Sequence, residues 1–169
     1  MIIIKFCLLL LVFGASMLIG ITISKRYRNR EKELKEMKNA LNMFETKMRF
    51  TYESIPEIFP EIAEKIDGSI GKIFEMAIEK MEEMSAGDAW NESIEKIENS
   101  LTQEDKKVIK SLGRMLGKTD IEGQISEIEL VSHFLDTQIE LAQQERRKNE
   151  KMYKTLGGVI GLVLVIILI

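Results

Sequence analysis

Eighteen consecutive residues without a charge, FCLLLLVFGASMLIGITI from Phe6 to Ile23, constrain this chain more than any other feature. A helix rises 1.5 Å per residue, so the run reaches about 27 Å, close to the ~30 Å hydrocarbon core of a bilayer. Ile2 to Ile4 extend it, and Lys5 is placed to snorkel outward. An uncleaved anchor fits better than a signal peptide. The n-region holds one Lys, no A-x-A site follows, and the chain passes straight into SKRYRNR. The other end repeats the pattern. LGGVIGLVLVIILI, Leu156 to Ile169, is fourteen uncharged residues, and Met152 to Thr155 lengthen it to eighteen, with Lys154 at the interface. A short span is accommodated by local bilayer thinning. Gly157 and Gly161 form G-x-x-x-G, which permits close helix approach in a membrane, although a plain anchor with incidental glycines is an equal reading.

The flanks set the expected orientation. Lys25, Arg26, Arg28 and Arg30 follow the first run, and Arg146, Arg147, Lys148 and Lys151 precede the second. Positive charge marks the cytoplasmic side. A transmembrane anchor over 1–24, a cytoplasmic bundle over 25–152 and a C-terminal transmembrane segment over 153–169 are therefore expected, at the cell membrane. Anionic membrane lipid would attract both basic collars. Between them, residues 51–105 hold fifteen Asp/Glu and four Lys. That acidity argues against nucleic acid as a partner, because a phosphate backbone needs a basic surface.

The central region reads as helices. Leu34, Met37, Leu41, Phe44 and Met48 step by three and four, continuing the first run out of the membrane. Ser54 and Glu57 form a capping box before Ile55, Ile58, Phe59, Ile62 and Ile66, with Pro60 in the first turns. Ile70, Ile73, Phe74, Ala77, Ile78 and Met81 make a third stripe. Trp90, Ile94, Ile97 and Leu101 line a fourth, with Asp88 as expected N-cap. Thr102 and Asp105 cap a fifth that ends at Gly117. A sixth begins near Asp120, carries Ile121, Ile125, Ile128, Phe134, Leu135 and Ile139 inward, and runs unbroken toward the second apolar run. The fold class is all-α: an antiparallel bundle of about six helices flanked by N- and C-terminal transmembrane helices.

One stretch, LGRMLGKTD, looks like a phosphate-binding loop. It is one residue short of G-x-x-x-x-G-K-[ST], and helical periodicity precedes it where a strand should stand. Gly117 reads instead as a helix-ending glycine, and Thr119 with Glu122 as a capping box. Arg114, Lys118, Thr119, Asp120, Glu122 and Gln124 are the candidate partner-binding residues, since Arg114 can fork onto a carboxylate. The same residues are equally explained as caps and surface charge. With one His, His133, and one Cys, Cys7, the chain offers no Cys/His pair, no Ser/His/Asp set and no metal-ligand spacing. No catalytic residue, cofactor or metal ligand is assigned. A sensor bundle would need an external ligand region, for which almost no residues remain.

LGRMLGKTDIEGQ, NALNMFETKMRFTYESIPEIF and the terminal YKTLGGVIGLVLVIILI together resemble the stage III sporulation protein AB family, over nearly the whole chain. That family looks like a relative of the type II secretion system F-domain, a six-helix bundle of an inner-membrane platform. The resemblance implies a non-enzymatic platform or adaptor in a sporulation channel between mother cell and forespore. It further implies a partner ATPase on the mother-cell side, and membrane subunits of the same complex as neighbours. A full F-type platform protein carries two bundles and this chain one, so homo-oligomerisation is left open.

Overall fold

The computed structural model describes residues 2–168, and side-chain surroundings for 7–153 and 155–167. The expected interfacial positions of Lys5 and Lys154 therefore lie outside the described side chains. Six α-helices follow one another: α1 (Ile2–Phe50), α2 (Ile55–Lys65), α3 (Gly68–Met81), α4 (Ala86–Lys96), α5 (Gln103–Ser111) and α6 (Ile121–Leu168), with a 3-10 turn at Leu112–Arg114. Among the described residues there is no strand. The chain separates by packing into two compact units, Met1–Glu31 with Leu141–Ile169, and Lys32–Glu140.

In the second unit, the 32–50 part of α1 buries Leu34, Met37, Leu41, Phe44 and Met48, the stripe its spacing predicts. The centre is aromatic. Phe59 meets the rings of Phe44 and Phe74 edge-on at 5.2 and 4.9 Å, and Phe74 meets Trp90 at 5.1 Å. Each such pair contributes about 0.5–1.5 kcal/mol beyond its buried area. Trp90 is fully buried, yet its indole N–H donates to the Ile109 carbonyl at 3.0 Å. That bond ties α4 to α5 without leaving a donor stranded.

Caps delimit the short helices. The Ser54 N–H donates to Glu57 Oε2 at 2.8 Å, and the Thr102 N–H donates to Asp105 Oδ2 at 2.8 Å, with the Asp105 N–H returning to Thr102 Oγ1 at 3.2 Å. Pro60 sits inside α2, which continues past it to Lys65. Three expectations are corrected. Ser85, not Asp88, caps α4: its Oγ accepts from the Asp88 N–H at 3.2 Å, so Asp88 lies inside the first turn. Leu101 is buried but does not line α4, which stops at Lys96. Asn99 breaks the helix there, donating to the Ile97 carbonyl at 2.6 Å and accepting from the Leu101 N–H at 3.2 Å. Phe134 and Ile121 are 48 % and 38 % exposed rather than inward. The buried line on α6 is Ile125, Ile128, Val131, Leu135 and Ile139, and Phe134 falls one residue beside it.

Glu33 is the half-buried carboxylate of this unit. It accepts from the Ser100 N–H at 2.7 Å and from the Ser69 hydroxyl at 3.0 Å, joining α1 to the start of α3 and the α4–α5 connection. Burial raises its pKa above the ordinary 4.5, and the two hydrogen bonds offset only part of that. The unfolded chain therefore ionises first. Stability is highest below pH 4.5 for this group, and falls as pH rises through the higher folded value. Glu33→Gln should abolish that step in a denaturant-midpoint profile against pH. Glu33→Ala, which strips the Ser100 N–H of its acceptor, should cost about 1–3 kcal/mol at pH 7.

Candidate functional site: one end of the bundle and a paired apolar hairpin

At one end of the Lys32–Glu140 unit the α1–α2, α3–α4 and α5–α6 connections come together. They surround a cleft of about 510 Å³ whose lining is largely apolar, with Met48, Ile55, Pro56, Met81, Met84 and Ile121, and includes Tyr52, Glu53, Gly117 and Gln124. The α5–α6 connection is seated by a contact between backbones. A Cβ placed on Gly87 would stand 2.0 Å from the Gly113 carbonyl oxygen, and one on Gly113 would stand 2.8 Å from the Gly87 oxygen. The first glycine of the phosphate-loop look-alike thus lets α4 and the 3-10 turn touch. The second, Gly117, adopts φ +72°, which a left-handed turn requires.

The structure divides the candidate partner-binding residues. Gln124 is buried and spends its amide on the loop: it accepts from the Gly117 N–H at 3.2 Å and donates to the Thr119 carbonyl at 3.1 Å. The expected Thr119–Glu122 capping box does not form. Asp120 caps α6 instead, its Oδ1 accepting from the Gly123 N–H at 2.9 Å, because α6 starts at Ile121 and puts Gly123 in the third helical position. Thr119 Oγ1 is buried with no hydrogen-bond partner. Lys118 and Glu122 are exposed around the loop. Arg114 is exposed too, but borders a different hollow, between α4 and α5.

Sequence reasoning missed Tyr52. Helix α1 closes with the Thr51 N–H on the Lys47 carbonyl at 2.9 Å, and the next residue turns left-handed, at φ 55°. Glycine usually fills that place. A tyrosine there costs about 1–3 kcal/mol of backbone strain. Its ring recovers little by packing, being 72 % exposed beside Phe50 at 73 %. Tyr52 is thus a strained, exposed aromatic bordering an apolar cleft. No periodicity signals it; only the TYES turn after a helical stripe hints at the position.

In the other unit, α1 and α6 run antiparallel. Gly20 and Gly157 touch: a Cβ on Gly157 would stand 3.0 Å from the Ser16 carbonyl oxygen and 3.2 Å from Gly20 Cα. The Ser16 hydroxyl donates to the Gly157 carbonyl at 2.8 Å. Gly161 faces Phe13, whose Cδ2 would lie 2.8 Å from an added Cβ. Tyr27 stacks on Tyr153 at 5.9 Å. Beyond the apolar part, Arg30 pairs with Glu145 at 2.6 Å and Arg146 with Glu31 at 3.1 Å. Arg30 and Glu31 are both buried, so both ion pairs carry one desolvated charge. Lys25, Arg26, Arg28, Arg147, Lys148 and Lys151 remain exposed. Farther along both helices the exposed side chains are apolar, Leu11, Leu18, Ile19, Leu162, Ile166 and Ile167 among them. By length and composition α1 holds a segment able to cross a membrane.

These features define a class: an all-α bundle whose chain begins and ends in a paired apolar helical hairpin. The stage III sporulation protein AB family model matches residues 5–169, and the chain belongs to that family. It is 28 % identical over 153 residues to the stage III sporulation protein AB of Bacillus subtilis (strain 168), covering 88 % of this chain and 90 % of that protein. A solved structure titled stage III sporulation protein AB shares the fold, with a TM-score of 0.66 at 22 % identity, over 71 % of this chain and 98 % of the other.

Two substitutions at the bundle end should move stability in opposite directions. Tyr52→Gly should stabilise by about 1 kcal/mol, after offsetting glycine's unfolded-state entropy, raising the melting temperature by roughly 4 °C. Gly87→Ala should destabilise by about 2 kcal/mol or more, because backbone cannot yield as a side chain can. Thermal melts of the purified chain read both.

Proposed function

We propose that this chain is a membrane-tethered adaptor in a sporulation complex, offering the end of its bundle to a partner protein. Both apolar end segments span the membrane in this reading, with the six exposed cations beside them facing anionic lipid. The bundle then lies in the cytoplasm, on the mother-cell side, and its partners are the ATPase and membrane subunits of a secretion-like channel. A platform role of the kind a type II secretion F-domain plays is part of this proposal; membership of the stage III sporulation protein AB family supports its place in sporulation. The observation that carries the proposal is Tyr52: a strained, exposed aromatic stands over an apolar cleft, at a cost to stability. Strain kept where packing does not reward it points to a contact made elsewhere.

A photo-cross-linking residue at Tyr52, in cells passing through sporulation, should trap the ATPase. Tyr52→Ala should weaken recovery of that partner without lowering the melting temperature, whereas Asp120→Ala should destabilise the chain by the ~1 kcal/mol worth of a helix cap. A Tyr52 probe that captures no complex subunit, with Tyr52→Ala cells sporulating normally, would contradict the proposal.

A further inference from the structure

Between α4 and α5 lies a second hollow, of about 340 Å³, lined by Glu95, Gln103, Lys106, Lys107, Lys110, Ser111 and Arg114. Four cations face one carboxylate. Glu95 engages Lys110 at 3.0 Å and Lys106 at 3.6 Å. Among the described residues Lys107 and Arg114 make no ion pair; the Arg114 Nε–H reaches only the Ser111 carbonyl, at 3.4 Å. Lys107 and Lys110 stand one turn apart on α5, and Arg114 extends the row from the 3-10 turn that follows it.

The complementary row is on α3. Glu75, Glu79 and Glu82 are spaced i, i+4, i+7, which spans about 10 Å. All three are exposed, and among the described residues none makes an ion pair. None of them lines the α4–α5 hollow of the same chain. We infer that the basic row on α5 of one copy docks on the acidic row on α3 of a second copy. The contact joins two different surfaces, so it is heterologous, and repeats into a ring or a line of copies. Exposed pairs are worth little each, but three in register, on chains concentrated by a common membrane, act together. The inference rests on the proposed tethering, which supplies that concentration.

The test uses full-length chains in membranes, with Cys7→Ser to remove the native thiol. One tagged chain carries Lys107→Cys and a differently tagged chain carries Glu79→Cys, joined by a short bis-thiol reagent. A covalent pair of the two tags is expected. Adding Arg114→Glu to the first chain should reduce it about five-fold or more, and adding Glu75→Lys to the second should restore most of the loss, since like charges become opposite again. Raising salt from low to about 0.5 M should weaken the pair, as exposed charges require. All substituted side chains are exposed, and unchanged melting confirms that each variant folds. No mixed pair, or a loss that Glu75→Lys does not restore, overturns the inference. So does a basic row whose reversal releases a different acidic protein while copies never cross-link. Alkaline extraction of the same membranes reads tethering separately: a chain that washes out refutes the proposed function, whereas a retained chain without mixed pairs refutes only the docking.

Discussion

The contact on which the pairing of the two long helices depends is backbone against backbone, at Gly20 and Gly157. No side chain separates the two long helices there, and the Ser16 hydroxyl bonds directly to the Gly157 carbonyl. In hydrocarbon, where apolar surface gains nothing by leaving lipid, such close packing and hydrogen bonding are what hold helices together. The pairing also fixes a register. Tyr27 then meets Tyr153, Arg30 meets Glu145 and Glu31 meets Arg146. Within the bundle unit the same two helices are joined by Lys38 with Asp136, and by Arg49 with Glu129 at 2.6 Å.

The bundle itself is secured differently. Its core is a continuous aromatic contact from Phe44 through Phe59 and Phe74 to Trp90, and its short helices are delimited by caps rather than by length. Helices of nine to fourteen residues are marginal alone, so their stability comes from that shared core. The consequence for function is a rigid base from which connecting loops project. Tyr52 can hold a strained conformation because α1 ends against this base and α2 begins three residues later, at Ile55.

How much of this could be read in the sequence follows from what leaves a periodic trace. Most of the helices did, because they bury a stripe, and Ser54–Glu57 and Thr102–Asp105 announced two starts correctly; the fifth, expected to reach Gly117, stops at Ser111, where the chain tightens into a 3-10 turn. The third box failed because Thr119 and Asp120 are adjacent candidates, and spacing alone cannot say which residue enters the helix. Phe134 was misplaced because a 3.6-residue period leaves positions beside the stripe ambiguous. Of the partner-binding candidates, Gln124 turned out to brace its own loop, a role that needs the loop's path to be known. Tyr52 and the Gly87–Gly113 contact depend on residues far apart in sequence, or on a single torsion, and no local pattern carries either.

The central claim is that the two end helices of one chain pair with each other. Tyr27→Cys with Tyr153→Cys, in a Cys7→Ser background, tests it in native membranes with a short bis-thiol reagent. The account predicts an internally bridged monomer whose yield is unchanged when the chain is diluted with cysteine-free copies. Bridged dimers that disappear on that dilution, with no internally bridged monomer, would contradict it.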